Sequence, residues 1–155
     1  MSAVPTVSRA NDGDLADVIA LRYRWRTEEG DEAGMSPEEF EENAREWFDA
    51  HQRSHVGYVA RAERRAIGCA WLFVIDRIPG PGTFVRRGGI LQSVYVEPAS
   101  RNAGVGSDLV SVVLEDARAM GLDYVMVHPS TQSFEFYRRA GFAAAQRALE
   151  LRFSD

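Results

Sequence analysis

The chain contains no lysine: all 18 of its cationic side chains are arginine. Codon bias is a simple account of that, and no mechanism attaches to it. Cysteine is nearly as scarce. Cys69 stands alone, so no intrachain disulfide is possible, which suits a reducing cytoplasm. It lies in the apolar run from Ala66 to Ile78 and reads as a buried structural thiol rather than a nucleophile. Only three histidines occur, and His51, His55 and His128 show no metal-ligand spacing with one another or with Cys69, so no metal is expected. No run of about 18 apolar residues exists, so no membrane span is indicated. The segment Met1-Ser2-Ala3-Val4-Pro5 lacks a basic region and an apolar core, and a secretory signal is not expected. A net charge of −5 argues against nucleic acid as a partner. That charge is compatible with a cationic acceptor, although solubility alone would also explain it.

What is present fits one domain over residues 1–155, with enough chain for a proper core. Thr6 to Arg9 reads as a first strand. Asn11-Asp12 supplies a cap for a helix from about Asp14 to Glu28, with an apolar stripe of Leu15, Val18, Ile19 and Leu21. The helix ends in Arg22-Tyr23-Arg24-Trp25-Arg26. Such a run can grip an anion or stack on a ring, and it can equally be an amphipathic end with arginines in solvent. After the acidic loop Glu28 to Gly34, Ser36-Pro37-Glu38-Glu39 carries a capping box for a second helix, striped by Phe40, Ala44, Trp47 and Phe48.

Val56 to Ala62 and Ala66 to Ile78 predict two antiparallel strands. The loop Pro79 to Gly89 follows and is either functional or plain solvent loop. Gly89 to Val96 is the next strand, ended by Pro98. Asp108 to Met120 repeats as a helix with Gly121 as its C-terminal cap, and Tyr124 to His128 is a short strand. Ser133 to Ala140 is a short helix, and Ala143 to Phe153 a final strand. The fold class expected is α/β of the α+β kind: a mixed, mostly antiparallel sheet with helices on both faces. Its one parallel pair would flank the long helix, and the ligand would lie there.

The segment between that strand and helix is Arg101-Asn102-Ala103-Gly104-Val105-Gly106. Glycines let the backbone approach a ligand closely. The first N–H groups of a helix lack partners and stand at the positive end of its dipole. Strand, glycine turn and helix start together suit phosphate or pyrophosphate, with Arg101 as a second charge. No Gly-Lys-Ser/Thr follows, so this is not the phosphate loop of nucleotide hydrolases. Leu109 stands where the dinucleotide fingerprint needs its third glycine.

A second segment, Tyr137-Arg138-Arg139-Ala140-Gly141-Phe142, follows after a further strand. The order strand, Arg-x-x-Gly-x-Gly, helix, strand, then Tyr-x-x-x-Gly-Phe resembles the GNAT superfamily of acyl-CoA-dependent N-acetyltransferases. The specific match runs from about Leu91 to Phe142. The resemblance implies the GNAT-like fold and acetyl-CoA as acyl-donor cosubstrate. Backbone groups of Val94, Tyr95 and Val96 would pair with the pantetheine arm. Amides of Asn102, Ala103, Gly104, Val105, Gly106 and Ser107, with Arg101, would hold the pyrophosphate. Tyr137 would be the general acid on the departing thiolate. Many members carry Asn and Ala where this chain has Ser130 and Ser133, so a contact made by that amide would fall to Ser130, backbone or water.

The implied activity is direct transfer of an acetyl group to a primary amine of a small molecule or peptide in a ternary complex. An acceptor side formed by the first two helices is implied as well. Two alternatives stay open: a longer acyl chain, or a CoA-binding sensor domain without turnover. The base is not legible; Glu28, Glu29, Asp31, Glu32 and Asp76 are candidates, as is water. A homodimer is compatible with the reading, and the residues do not fix the oligomeric state.

Overall fold

Side-chain caps start both helices of the N-terminal half. The computed structural model describes residues 3–145 and 147–153. Strand β1 (Thr6–Arg9) runs into Asn11, whose side-chain oxygen accepts from the Gly13 N–H at 2.8 Å. The Asn11 N–H donates in turn to the Asp14 carboxylate at 3.0 Å. This box closes one 3-10 turn, Asp12–Asp14, from which helix α1 (Leu15–Glu28) continues. Helix α2 (Pro37–Ala50) starts on a second box. Ser36 Oγ accepts from the Glu39 N–H at 3.2 Å, and the Glu39 carboxylate accepts from the Ser36 N–H at 2.8 Å. Pro37 occupies the first helical position, where a missing N–H costs nothing.

Strands β2 (His55–Ala62), β3 (Arg65–Asp76) and β4 (Arg87–Val96) follow, then helix α3 (Val105–Ala119), strand β5 (Val125–Val127) and helix α4 (Phe134–Arg139). The sheet order is β1-β2-β3-β4-β5, antiparallel throughout except for the parallel pair β4–β5. The expected α+β class, with its single parallel pair flanking the long helix, is the class observed. Among the described residues no helix is long and apolar enough to cross a membrane.

The apolar runs of β2 and β3 follow from burial on both faces, with side chains alternating between them. On one face Val59, Cys69, Trp71 and Tyr95 meet Val18 and Leu21 of α1, with Trp25 and Phe48 packed against them. Phe48 lies flat on Trp71 at 4.1 Å between ring centroids. On the other face Tyr58, Ala60, Ala70, Leu72 and Leu91 meet Leu109, Val110, Val113 and Ala117 of α3. Each fully buried aliphatic side chain of this size contributes about 1.5–3 kcal/mol. Asp116 on α3 accepts from the Tyr58 hydroxyl and from Arg9 Nη2 at 2.6 Å, so one carboxylate joins β1, β2 and α3.

Strand β4 carries the main irregularity beside the turn to α3. Trp71 pairs with Gln92 and Cys69 with Tyr95, so the single residue Ala70 on β3 faces two residues, Ser93 and Val94, on β4. Ser93 adopts φ +57°, the left-handed region, at a cost of about 1–2 kcal/mol for a residue with a Cβ. A bulge of this kind bends its strand and increases the twist. The ladder with β5 stops at Leu91↔Val127, two residues before the bulge. Beyond it, among the described residues, the β5-facing edge of β4 has no strand against it.

Two expectations need correction. Helix α3 starts at Val105, three residues before the expected Asp108, because Gly104 takes a left-handed turn and acts as its N-cap. The expected final strand, Ala143 to Phe153, does not form in residues 143–145 or 147–153; Gln146 lies outside the described residues. Leu149, Leu151 and Phe153 alternate as a strand would, yet all three are exposed. The segment opens with Ala143-Ala144-Ala145, small side chains of low strand preference that bury little, so nothing anchors it as a strand.

The bulge makes Gly68 a sensitive position. A Cβ there would lie 2.8 Å from the Tyr95 carbonyl oxygen and 3.2 Å from Leu109 Cδ1, and the carbonyl is backbone that cannot swing away. Gly68→Ala should destabilise the fold by about 1–3 kcal/mol in equilibrium denaturation. Gly34→Ala, where a Cβ meets nothing within 4 Å, should leave the midpoint within error. Equal midpoints for both variants would contradict this packing.

Candidate active site

After Val96 the chain makes one 3-10 turn, Pro98–Ser100, and then reverses through Asn102 at φ +62° and Gly104 at φ +84°. A Cβ on Gly104 would meet nothing within 4 Å, so the turn faces open space. The first bond of α3 runs from the Asp108 N–H to the Gly104 carbonyl at 3.0 Å. None of the backbone N–H groups from Asn102 to Ser107 donates to a described residue. Six successive donors without a described partner, at the positive end of a 15-residue helix, are an arrangement suited to anionic oxygens. Val105 is buried and anchors the turn, while Asn102, Ala103 and Ser107 are exposed. A Cβ on Gly106 would lie 3.4 Å from Phe136 and 3.8 Å from Val96, so the turn, the end of β4 and α4 meet at this point.

Arg101 turns away from the turn. Its Nε donates to the Val96 carbonyl at 2.8 Å, its Nη2 lies 3.9 Å from Glu28, and its guanidinium covers the Tyr95 ring at 5.5 Å. Tyr95 is buried, stacks on Trp25 at 5.8 Å and shares its hydroxyl hydrogen between both Glu28 oxygens at 3.0 Å. Burial, together with that carboxylate, pushes the Tyr95 phenol up to about 12, so it remains a donor. Val94 and Val96 direct their side chains to the α3 face.

Tyr137 sits on α4 between Phe136 and Phe142, with centroid distances of 5.0 and 5.7 Å. Its ring is buried, and burial raises its pKa above the ordinary 10.0, which keeps the hydroxyl protonated at neutral pH. The residue lines a groove of about 1090 Å³ along β5, with Val127, His128, Pro129 and Phe134. Ser130 is engaged locally. Its Oγ lies 2.9 Å from Ser133 Oγ and accepts from the Ser133 N–H at 3.2 Å, so it braces the start of α4.

The carboxylates suggested as bases separate into distinct settings. Glu29 and Asp31 are held by Arg26 at 3.0 and 2.7 Å. Asp76 pairs with Arg87 at the opposite end of β3 and β4 from the turn. Glu28 alone of these three settings borders the end of β4 that carries the site. Cys69 is neutral, because burial pushes its thiol up to about 12, and that fits the structural reading rather than a nucleophile.

The bulge at Ser93 and the Tyr95–Glu28 pair were not anticipated from the sequence. Two adjacent polar residues, Gln92-Ser93, interrupt the alternation of β4 and are the one local sign of the bulge.

Comparison with known proteins bears on this geometry. The model of the Acetyltransferase (GNAT) family matches residues 19–142. A glucosamine 6-phosphate N-acetyltransferase of Trypanosoma brucei brucei is 32% identical over 56% of this chain and 57% of its own length. An L-methionine sulfoximine/L-methionine sulfone acetyltransferase of Pseudomonas paraeruginosa is 32% identical over 64% of this chain and 58% of its own. The chain thus spans somewhat under three fifths of both relatives. A crystal structure of a predicted acetyltransferase from Clostridium acetobutylicum with acetyl-CoA superposes with a TM-score of 0.78 over 96% of both chains, at 20% identity.

The turn's geometry gives a direct expectation. Gly104→Val adds a branched side chain in front of the free N–H groups and strains φ by about 1–2 kcal/mol. CoA affinity measured by calorimetry should fall at least about tenfold, with the protein still folded. Arg101→Ala should change it less, since that guanidinium is engaged by Val96 and Glu28. Full CoA affinity in Gly104→Val would remove the phosphate role from this turn.

Proposed function

The chain belongs to the GNAT family of acetyltransferases, and on that premise we propose that it moves an acetyl group from acetyl-CoA to a primary amine of a small molecule. The observation that carries the reading is the run of free N–H groups from Asn102 to Ser107, set beside the edge of β4 that β5 has left. The donor's pyrophosphate would lie on those groups and its pantetheine arm along Ser93 to Val96, replacing the missing strand. Amides of Val94 to Val96 on that edge would polarise the thioester carbonyl.

The amine must be neutral to attack. Its nitrogen bonds to the acetyl carbon, the carbon–sulfur bond breaks, and the amine's extra proton leaves to a carboxylate or water. Of the carboxylates weighed as bases, Glu28 is the one in contact with that end of β4, through Tyr95. The thiolate takes a proton from Tyr137, whose raised pKa keeps it loaded. No covalent enzyme intermediate is needed, consistent with a thiol at Cys69 that stays protonated. The acceptors named for the two relatives are small molecules carrying an amine, which favours that class over a peptide. The engagement of Ser130 with Ser133 leaves undone any contact an amide would make there, and this favours a CoA-binding domain without turnover as the second reading.

Acetyl-CoA mixed with the protein and a panel of amines, followed by free-thiol release, separates the two. Amine-dependent release is expected; CoA binding with no release from any amine would support the second. Tyr137→Phe should lower kcat by roughly tenfold to 10³-fold, at or below the usual range for a general acid, with acetyl-CoA Kd unchanged. Because the protonated form is the active one and burial raises its pKa, titration of Tyr137 should cost no activity at neutral pH, and any alkaline loss that it causes should come at higher pH than for an ordinary tyrosine. Wild-type turnover in the Phe variant, with chemistry rate-limiting, would make Tyr137 a packing residue.

A further inference from the structure

Arg22 differs from the other arginines around the site. Arg24 has Glu97 at 3.4 Å, Arg26 has Asp31 at 2.7 Å, and Arg101 has Glu28 at 3.9 Å. Arg22 is half-buried and has no carboxylate within 4.0 Å among the described residues. Its Nη1 donates to Ser93 Oγ at 2.8 Å, and its guanidinium stands 5.2 Å from the centre of the Trp25 ring. No other donor of its fork reaches a described side chain.

A cation drawn out of water without a counter-charge is costly. The groups that could balance Arg22 from the protein are engaged elsewhere. Glu29 and Asp31 hold Arg26, Glu97 lies between Arg24 and Arg65, and Glu28 accepts from Tyr95. Cys69, beneath Ser93, is neutral. Burial, and then the like charge of Arg26, lower the Arg22 pKa, as expected of a guanidinium that lacks an anion. The location adds direction. Ser93 is the bulge residue, one position before Val94, where β4 has already parted from β5. The Trp25 ring and Ser93 hold the planar fork there, and a fork of this shape matches two oxygens of a carboxylate or phosphate.

We propose that Arg22 is a specificity-determining residue that binds an anionic group, carboxylate or phosphate, on the acceptor, so that the acceptor of this chain is an acid-bearing amine. The inference rests on the acetyl-transfer reading for the identity of the ligand as an acceptor.

Two matched pairs test it: glucosamine 6-phosphate against glucosamine, and methionine sulfone against its methyl ester. Thiol release gives kcat/KM for each with wild type, Arg22→Gln and Arg22→Lys. Calorimetry gives the affinity of the acid members for CoA-saturated protein. Wild type should prefer at least one acid member over its neutral partner by about 10- to 100-fold. Arg22→Gln should bring that ratio close to one, chiefly through KM. Arg22→Lys should restore part of it, and serves as the folded variant if Arg22→Gln melts early. The phosphate pair and the carboxylate pair identify which anion is read.

No preference in wild type for either acid member, or a preference that survives in both variants, would overturn the inference. An equal fall for both members of a pair would also overturn it, assigning Arg22 to the acetyl carbonyl instead. Binding of an acid member that depends on Arg22 but yields no thiol would support the anion site and overturn the transfer reading. Failure of both acid members to bind would overturn the inference itself.

Discussion

The extra residue in β4 between Gln92 and Tyr95 is the constraint on which the proposed donor site depends. Regular pairing would carry the parallel β4–β5 ladder on past Leu91. With Ser93 in a left-handed conformation, β4 bends and the ladder ends at Leu91↔Val127. A backbone edge is left open among the described residues, and on the proposed reading an extended ligand would occupy it. At the bulge Ser93 meets Arg22 of α1, and Tyr95 packs on the α1 face, with the turn to α3 following Val96. The cost of the left-handed serine, about 1–2 kcal/mol, is set against a hydrogen bond from Arg22 and a sheet that is otherwise well buried.

Rigid packing supports this opening from both sides. On one face Trp25 stacks on Tyr95 and Phe48 on Trp71, which holds α1 and α2 to the strands. On the other, Leu109, Val110 and Val113 fix α3, so the free N–H groups at its start have a defined direction. Glu97, buried between Arg24 and Arg65, ties the end of β4 to α1 and β3 immediately before the turn. The charges around the site are thereby mostly neutralised within the protein. Of Arg22, Arg24, Arg26 and Arg101, Arg22 alone has no carboxylate partner among the described residues, and this is the ground for proposing that it reads an anion on the acceptor.

The parts of this arrangement that were legible in the sequence are those specified locally. Asn11 caps the 3-10 turn that leads into α1, and Ser36 caps α2, each through its own side chain, so both helices begin close to where their residues place them. The apolar runs of β2 and β3 are continuous because both faces are covered, and the glycine turn is marked by Gly104 and Gly106. What escaped was decided by distant contacts. Nothing near Arg101 announces that its guanidinium would turn back to Val96 and Glu28. Glu29 and Asp31 read as open acids, although Arg26 on the preceding helix holds both. Ala143 to Phe153 read as a strand, but the alternation of Leu149, Leu151 and Phe153 makes a strand only where a sheet edge takes up its apolar face.

Amide hydrogen exchange, followed residue by residue with and without acetyl-CoA, tests the central claim most directly. The free protein should exchange rapidly at Asn102 to Ser107, whose N–H groups have no described partner, and slowly at Gly89 to Leu91, where β4 is paired on both sides. Acetyl-CoA should add protection to residues 102–107 and to the open β4 edge at Ser93 to Val96, leaving the β2–β3 ladder unchanged. Protection confined to other segments, or none at all with acetyl-CoA bound, would contradict the account that a bulge-opened edge and the adjoining helix start form the donor site.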